Sequence, residues 1–327
     1  MKTLPLLNST VAGLIATLVA GPMLAEQAPG FFDMAKSEPI YAPGDFKPAP
    51  ETISTRFGKL EFPGGYPTEE TAQKVFDELD LQRATQLYLD MYPALSAHGL
   101  MKGWVRDLGM SDSSQISVTA DRLDSSALVL TGNTESLYAF VVFDLKKDGP
   151  TVFEVPPGVM GPLDDHNFLF VTDIGPTGMD KGQGGKYLYL PPDWEGEEPE
   201  GYFTYRSPTY MNIMFWRGFL DDGDPGPAMA SARETLKVYP LGREADAAPM
   251  EFYNVSGKSY NTIHSNDAHF YSELKAVVDT EPASAFSPEI LGLLASIGIE
   301  KGKALSPDAR LQDILEEAVA VGRDRAA

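Results

Sequence analysis

The sequence contains no cysteine. Disulfide staples, thiolate nucleophiles and Cys-ligated zinc or iron–sulfur centres are therefore excluded. Positive charge is scarce: 26 Lys and Arg stand against 47 Asp and Glu, for a formal net charge of −21. Neutralising a phosphate backbone needs clustered cations, so this balance argues against a nucleic-acid binder and against docking on anionic lipid. Histidine is rare, four in 327 residues, so any metal would have to lean on carboxylates and other oxygens, favouring calcium or magnesium over zinc. Beyond the N-terminus, no run approaches the roughly 18–20 apolar residues of a membrane-spanning helix.

What is present can fill a core. Apolar residues make up 43% of the chain and aromatics 10%, enough for one large or two ordinary domains. At the start, Lys2 precedes an apolar stretch from Val11 to Ala20, followed by small residues up to Ala25. This is the plan of a secretory signal peptide over residues 1–25, and Gly13, Gly21 and Pro22 break the stretch too early for a membrane span. The expectation is an exported, soluble protein, periplasmic or secreted. Residues 26–55, rich in Pro, Ser and acids, read as a disordered arm or linker.

From about Phe57 the pattern predicts order. Thr68 can cap a helix over 69–80 with Ala72, Val75, Phe76 and Leu79 on one face, and a second helix follows from Leu81 to about His98, with Pro93 kinking it. From Gln115 the texture changes to short runs rich in Val, Phe, Tyr and Thr: 115–120, 126–131, 137–143, 151–155, 167–172, 186–190, 201–206 and 211–217. They lack helix-length spacers, which predicts an antiparallel sheet or barrel rather than a doubly wound fold. Helical texture returns after Pro225, over 227–238, over 266–279 capped by Ser265, and after the Ser287-Pro288-Glu289 and Ser306-Pro307-Asp308 starts. The expected fold class is α+β: an N-terminal helical pair, a central antiparallel sheet or barrel-like domain, and C-terminal helices. The expected division is 56–225 for the helical pair and β-rich domain, and 226–327 for a mainly helical region.

Motifs for known chemistry fail on inspection. There is no nucleophile elbow and no HExxH. Gly182-Gln183-Gly184-Gly185-Lys186 lacks the first glycine and the Ser/Thr of a phosphate loop, and reads as a turn. Asp221-Asp222-Gly223-Asp224 lacks the bidentate acid of a calcium loop. Asp164-Asp165-His166 follows Gly161-Pro162 and reads as a polar turn, with metal binding as the other possibility. His264 and Asp267 in HSNDAH offer an imidazole with an orienting acid, although Ser265, Asn266 and Asp267 are also ordinary helix-capping types. Five residues separate His264 from His269, which does not put them on one helical face. Asn133, Tyr138, Asp173 and Arg206 are polar groups at strand ends or inside strands, where a pocket can gather them.

Many segments, in one order, carry a family resemblance. Among them are FGKLEFPGGYPTEETAQKVFDELDLQRATQLYL, LTGNTESLYAF, FEVPPGVMGPLDD, FVTDIGPTGMDKGQGGKYLYLPP, GYFTYRSPTY, WRGFLDDGDP and YNTIHSNDAHFYSEL. The chain resembles, from about Phe57 to about Arg325, the bacterial exported proteins that carry domain of unknown function 1254, with the named domain over about 79–208. The resemblance implies a β-rich α+β fold, export, and a downstream β-rich domain, domain of unknown function 1214, as the partner this chain lacks. It implies no activity, cofactor or catalytic residue.

Two functions follow as expectations. One is a non-catalytic module that binds a small ligand or assembles with a second β-domain. The other is a hydrolase-like enzyme with His264 as general base oriented by Asp267, Asp173 as a second acid, and Asn133, Tyr138 and Arg206 binding substrate. The enzyme requires His264, Asp267 and at least two of the others on one pocket. The binding module requires an aromatic-lined cavity without a convergent acid–base pair.

Overall fold

A helix that is apolar on two different faces organises the chain. In the computed structural model, which describes residues 50–129 and 132–326, α1 (Glu69–Leu108) runs unbroken for 40 residues. Thr68 caps it by accepting from the Thr71 N–H, and Gly109 ends it in the left-handed conformation. The expected pair of helices is thus one helix. Asp80-Leu81 carries no breaking residue, and Pro93 is accommodated inside although it has no N–H to offer the preceding turn. The signal segment 1–25 and the arm over 26–49 lie outside the described residues. The last residues of the expected arm are strand, since β1 (Thr52–Thr55) pairs antiparallel with β2 (Gly58–Glu61).

Two sheets follow. The larger has six strands in the order β12 (Glu251–Asn254), β3 (Gln115–Val118), β4 (Leu137–Asp144), β10 (Met211–Gly218), β6 (Val159–Asp165) and β7 (Phe170–Ile174). The smaller has four: β11 (Lys237–Pro240), β5 (Thr151–Val155), β8 (Gly185–Leu190) and β9 (Phe203–Arg206). Most pairs are antiparallel, but β12 with β3 and β8 with β9 are parallel, and neither sheet closes into a barrel. The region after residue 226 is mostly helical in its regular elements, but it also contributes β11 and β12 to the two sheets. Short helices α2 (Leu145–Asp148) and α3 (Gly226–Thr235) lie between strands.

Strand alternation sorts the side chains into layers. From β4, Leu137, Ala139, Val141 and Phe143 join Met214 and Trp216 of β10 against Phe153, Val155, Tyr187 and Tyr189 of the smaller sheet. The alternate residues Tyr138, Phe140 and Ile213 face Ala97, Met101 and Trp104 of α1. The N-terminal half of α1 packs instead on α4 (His269–Thr280), α5 (Pro288–Ser296) and α6 (Ala309–Ala326), through Leu87, Tyr88, Met91 and Leu95 against Phe270, Leu274, Val277, Leu294, Leu315 and Val319. Val75 and Phe76, expected on the buried stripe, are exposed, because α1 extends beyond its helical neighbours there.

Several sequence expectations shift. Asp164-Asp165-His166, expected as a polar turn after Gly161-Pro162, is partly strand, since Asp164 and Asp165 end β6. That strand tolerates Gly161 because a Cβ there would meet the Phe215 carbonyl, and Pro162 occupies the gap in its pairing with β10. Residues 126–129 form a turn and a single bridge from Leu128 to Asn261 instead of a strand. Ser265 does not cap α4: its hydroxyl donates to Glu273 Oε1, and the helix starts three residues later. Ser287 caps α5 as expected, while at α6 the Asp308 carboxylate, rather than Ser306, receives the Leu311 N–H.

Two contacts tie the layers together. Gly99 and Gly103 let α1 touch backbone: a Cβ at Gly99 would lie 2.7 Å from the Thr262 carbonyl oxygen, and one at Gly103 would lie 2.5 Å from that of Asn261. Second, the fully buried Glu281 at the end of α4 accepts hydrogen bonds from the Tyr210 and Met211 N–H groups and faces His166 Nδ1 at 2.7 Å. His166 Nε2 in turn lies 3.4 Å from His98 Nδ1 on α1. This chain joins α4, the β6–β7 turn and α1. Lys301 closes it by donating to the Val278, Asp279 and Glu281 carbonyls at the helix end.

Two predictions arise from these ties. Gly103→Ala should destabilise the protein by about 1–3 kcal/mol, the usual cost of overpacking, because the Asn261 carbonyl it would meet is backbone that cannot rotate away. Urea unfolding measures it, and a change within about 0.5 kcal/mol would show that the helix can shift freely. The second concerns pH. Burial, together with the neighbouring His166 and Lys102, pushes His98 down to about 4, and Glu273 only partly offsets this. The unfolded chain, titrating near 6.5, then binds a proton that the folded chain refuses, so stability is lost as pH falls from about 6.5 towards 4. Asp164, pushed up to about 6 by burial and by Asp165 and Asp173, has the opposite sign: its contribution is present at low pH and lost as pH rises through 6. The two are separated by His98→Gln. Between pH 7 and 4.5 the unmodified protein should lose on the order of 1–2 kcal/mol relative to the variant, a figure reduced for the partial exposure of His98. A difference independent of pH would show that His98 titrates normally.

Candidate functional site

Between α1 and the larger sheet lies a cavity of about 260 Å³. The sheet supplies Tyr138 and Phe140 from β4 and Phe215 and Arg217 from β10, and α1 supplies Ser96 and Leu100. Loops close it with Leu123, Val129, Phe168, Tyr260, Ile263 and His264. The placement follows from strand period: Tyr138, Phe140, Ile213, Phe215 and Arg217 fall on the α1 side of neighbouring strands. Where α1 packs tightly, at Ala97, Met101 and Trp104, the interface is filled, and the cavity opens beside it.

Phe168 reaches the wall through a backbone conformation rare for a bulky residue, with φ of 60°. Asp165 holds that turn: its carbonyl accepts from the Phe168 N–H, and its Oδ1 accepts from the Asn167 and Leu169 N–H groups. Burial pushes the Asp165 carboxyl up, the Leu169 and Asn167 N–H groups oppose this, and the nearby Glu281 charge adds to the rise. Asp164 and Asp165 thus end β6, and His166 in the turn that follows bonds to Glu281. Among the described residues no group of three or more His, Asp or Glu is arranged to hold a metal ion.

Two polar atoms on the apolar wall have no hydrogen-bond partner among the described residues. One is Tyr260 Oη, on a side chain 3% exposed; burial, with a smaller effect of Asp124, pushes its hydroxyl up to about 12. It therefore stays protonated and can donate. The other is Nε2 of His264, a residue 4% exposed. Its Nδ1 lies 2.9 Å from the Ser265 carbonyl oxygen, which can only accept, so Nδ1 carries a proton. Tyr92 and Phe270 fix the ring by edge contacts at 4.5 and 5.5 Å. Tyr260 and His264 thus bring two buried polar atoms without a partner among the described residues to a wall that is mainly aromatic and aliphatic and also carries Arg217.

Of the residues expected to form a site, the structure brings together His264, Tyr138 and Asn133. Asn133 Nδ2 donates to Tyr138 Oη at 2.8 Å, and its Oδ1 accepts from the Glu135 and Ser136 N–H groups, so it fastens the turn before β4 and orients the Tyr138 ring. The other three are elsewhere. Asp267 accepts from the His269 N–H and pairs with His269 Nδ1 at 2.9 Å, which holds its carboxyl below the usual range. It makes no contact with His264 because the turn points it outward to start α4, so the expected dyad does not form. Arg206, at the end of β9 in the smaller sheet, donates to the Trp194 carbonyl. Asp173 lies in the edge strand β7, opposite Pro162, where its charge helps keep a proton on Asp164.

Sequence reasoning missed Arg217, Tyr260 and the His98–His166–Glu281 chain. Arg217 had a visible signal. In MNIMFWRG it continues the every-second-residue series Met211, Ile213, Phe215 on the side that lines the cavity, although the residue itself is exposed. Tyr260 sits in an irregular loop where no period applies. The histidine chain joins residues far apart in sequence.

No helix among the described residues is long and apolar enough to cross a membrane. Comparison with curated proteins gives no match. Among solved structures, the VPA0106 protein from Vibrio parahaemolyticus is similar over 75% of this chain and 58% of that one, with a TM-score of 0.55 and 14% identity. This is a likeness of fold, and this chain spans 58% of that protein's length. An uncharacterised protein from Burkholderia cenocepacia aligns at 14% identity and a TM-score of 0.26, over 55% of this chain and 52% of that one. Residues 114–240, which hold β3 through β11 and with them Tyr138, Phe140, Phe168, Phe215 and Arg217 of the cavity wall, match the family model described as "Protein of unknown function (DUF1254)".

Proposed function

We propose that this chain is an exported small-molecule-binding module whose ligand occupies the cavity between α1 and the larger sheet. The observation that carries this reading is the cavity itself, whose mainly aromatic and aliphatic wall includes Tyr260 and His264, each with a buried polar atom, Oη and Nε2, that has no partner among the described residues. A buried polar group without a partner costs about 1–3 kcal/mol, and a ligand that supplies the missing bonds recovers that cost on binding. The ligand has an apolar body and a polar group that bonds to Tyr260 or His264. Export rests on the signal-type pattern of residues 1–25. Association with a second β-rich domain rests on the family resemblance, and is supported by exposed Phe168, Leu169 and Phe170 at the β6–β7 turn. The hydrolytic alternative has no comparable support, because no carboxylate orients His264.

Calorimetry with 3-phenylpropan-1-ol, a neutral probe with both features, tests the reading. Binding should occur with a negative heat-capacity change, and Leu100→Trp should abolish it by filling the cavity. Tyr260→Phe should weaken binding by about fivefold and leave the ligand-free protein as stable as before or up to about 1 kcal/mol more stable, since it removes an unpaired hydroxyl. Unaltered binding in Leu100→Trp would place the probe elsewhere. A clear loss of stability in Tyr260→Phe, without an effect on binding, would make that hydroxyl structural.

A further inference from the structure

The cavity wall holds one full charge, and it is positive. Arg217 stands on β10 opposite Tyr138 of β4 and Met160 of β6, at the end of the inward-facing series Ile213, Phe215. Its guanidinium lies over the Tyr138 ring, 5.2 Å from the centroid. That ring is itself held, by Asn133 at its hydroxyl and by Phe140 stacked at 5.9 Å. Among the described residues Arg217 has no carboxylate partner and no hydrogen bond, although acids outnumber cations 47 to 26. Arg56, Arg106, Arg243 and Arg310 of the same chain each reach an Asp or Glu. The Arg217 side chain is exposed to solvent as well as lining the cavity, so its guanidinium is open to an anion arriving from solution.

We propose that the ligand is a small monocarboxylate. Its carboxylate lies on the Arg217 fork, and its aromatic or aliphatic body lies among Leu100, Phe140, Phe215 and Ile263. This deepens the ligand-binding reading above and depends on it. The planar guanidinium, pre-set by the Tyr138 ring, matches a planar carboxylate in two parallel hydrogen bonds. A phosphate dianion fits less well, since no Lys and no second Arg lines the cavity. The Tyr260 hydroxyl and His264 Nε2 then read polar substituents on the body of the ligand, and a hydroxyl group satisfies either one.

The test compares 3-phenylpropionate with 3-phenylpropanamide, which have nearly the same shape, by calorimetry on the full chain at low salt. The acid should bind about tenfold or more tightly than the amide. Arg217→Gln should bring the acid down to the level of the amide, and Arg217→Lys, which keeps a charge but not the fork, should restore part of the preference. Each variant is first checked for a cooperative melting transition. Equal binding of acid and amide by the unmodified protein overturns the carboxylate assignment, as does a preference that survives in Arg217→Gln. Amide binding that is lost in Leu100→Trp, with no preference for the acid, overturns this inference alone and leaves the cavity reading standing. Failure of both probes to bind at millimolar concentration overturns both.

Discussion

The architecture turns on one steric condition: α1 must approach the 261–264 segment closely enough for backbone to touch backbone. Only glycine at positions 99 and 103 permits this, since any Cβ would fall within 3 Å of a carbonyl oxygen. The contact does more than pack a helix. It places Thr262, Ile263 and His264 along the helix flank and so forms one wall of the cavity. The Arg106 guanidinium and the Asp107 carboxylate continue the same seam, bonding the Asn261 carbonyl and N–H.

The two halves of α1 do different work. Its N-terminal half completes a helical core with α4, α5 and α6, and its C-terminal half lies on the sheet. Such a helix could rock between two cores. The Glu281–His166–His98 chain opposes this by linking the end of α4 to the middle of α1 through the β6–β7 turn. Burying a carboxylate completely is costly, and it is tolerated here because two backbone N–H groups and an imidazole meet it. The same turn carries Phe168 to the cavity. Fixing the histidine chain therefore also fixes part of the site.

Local chemistry was legible in the sequence and long-range pairing was not. The Thr68 and Ser287 caps and most strands of both sheets follow from period and capping alone. The junction at Asp80-Leu81 was misread because two amphipathic stripes in register look alike whether or not a turn separates them. Strand β6 was missed because Gly161-Pro162 signals a turn locally, while the neighbouring β10 backbone demands a residue without a side chain at position 161. At the site, His264 and Tyr138 were found by residue type, since few polar groups sit near strand ends. Asp267 and Arg206 failed on orientation, which depends on which N–H or carbonyl lies nearest after folding. Arg217 was overlooked because one charge in an apolar strand is easily read as an edge.

The overall acidity of the chain and a cationic cavity wall are compatible once distance is considered. At physiological ionic strength charges beyond roughly 8 Å are largely screened, so most of the surface carboxylates contribute little at Arg217. Inside an apolar enclosure the effective dielectric is lower, and a nearby charge acts with greater weight than a distant one of the same size. No Lys, Asp or Glu and no other Arg lines the cavity, so the guanidinium rather than the −21 sum sets the field at its wall. Surface acidity then works as a filter on approach, disfavouring polyanions over a ligand with one negative charge and a large apolar body, and the cavity retains what passes it.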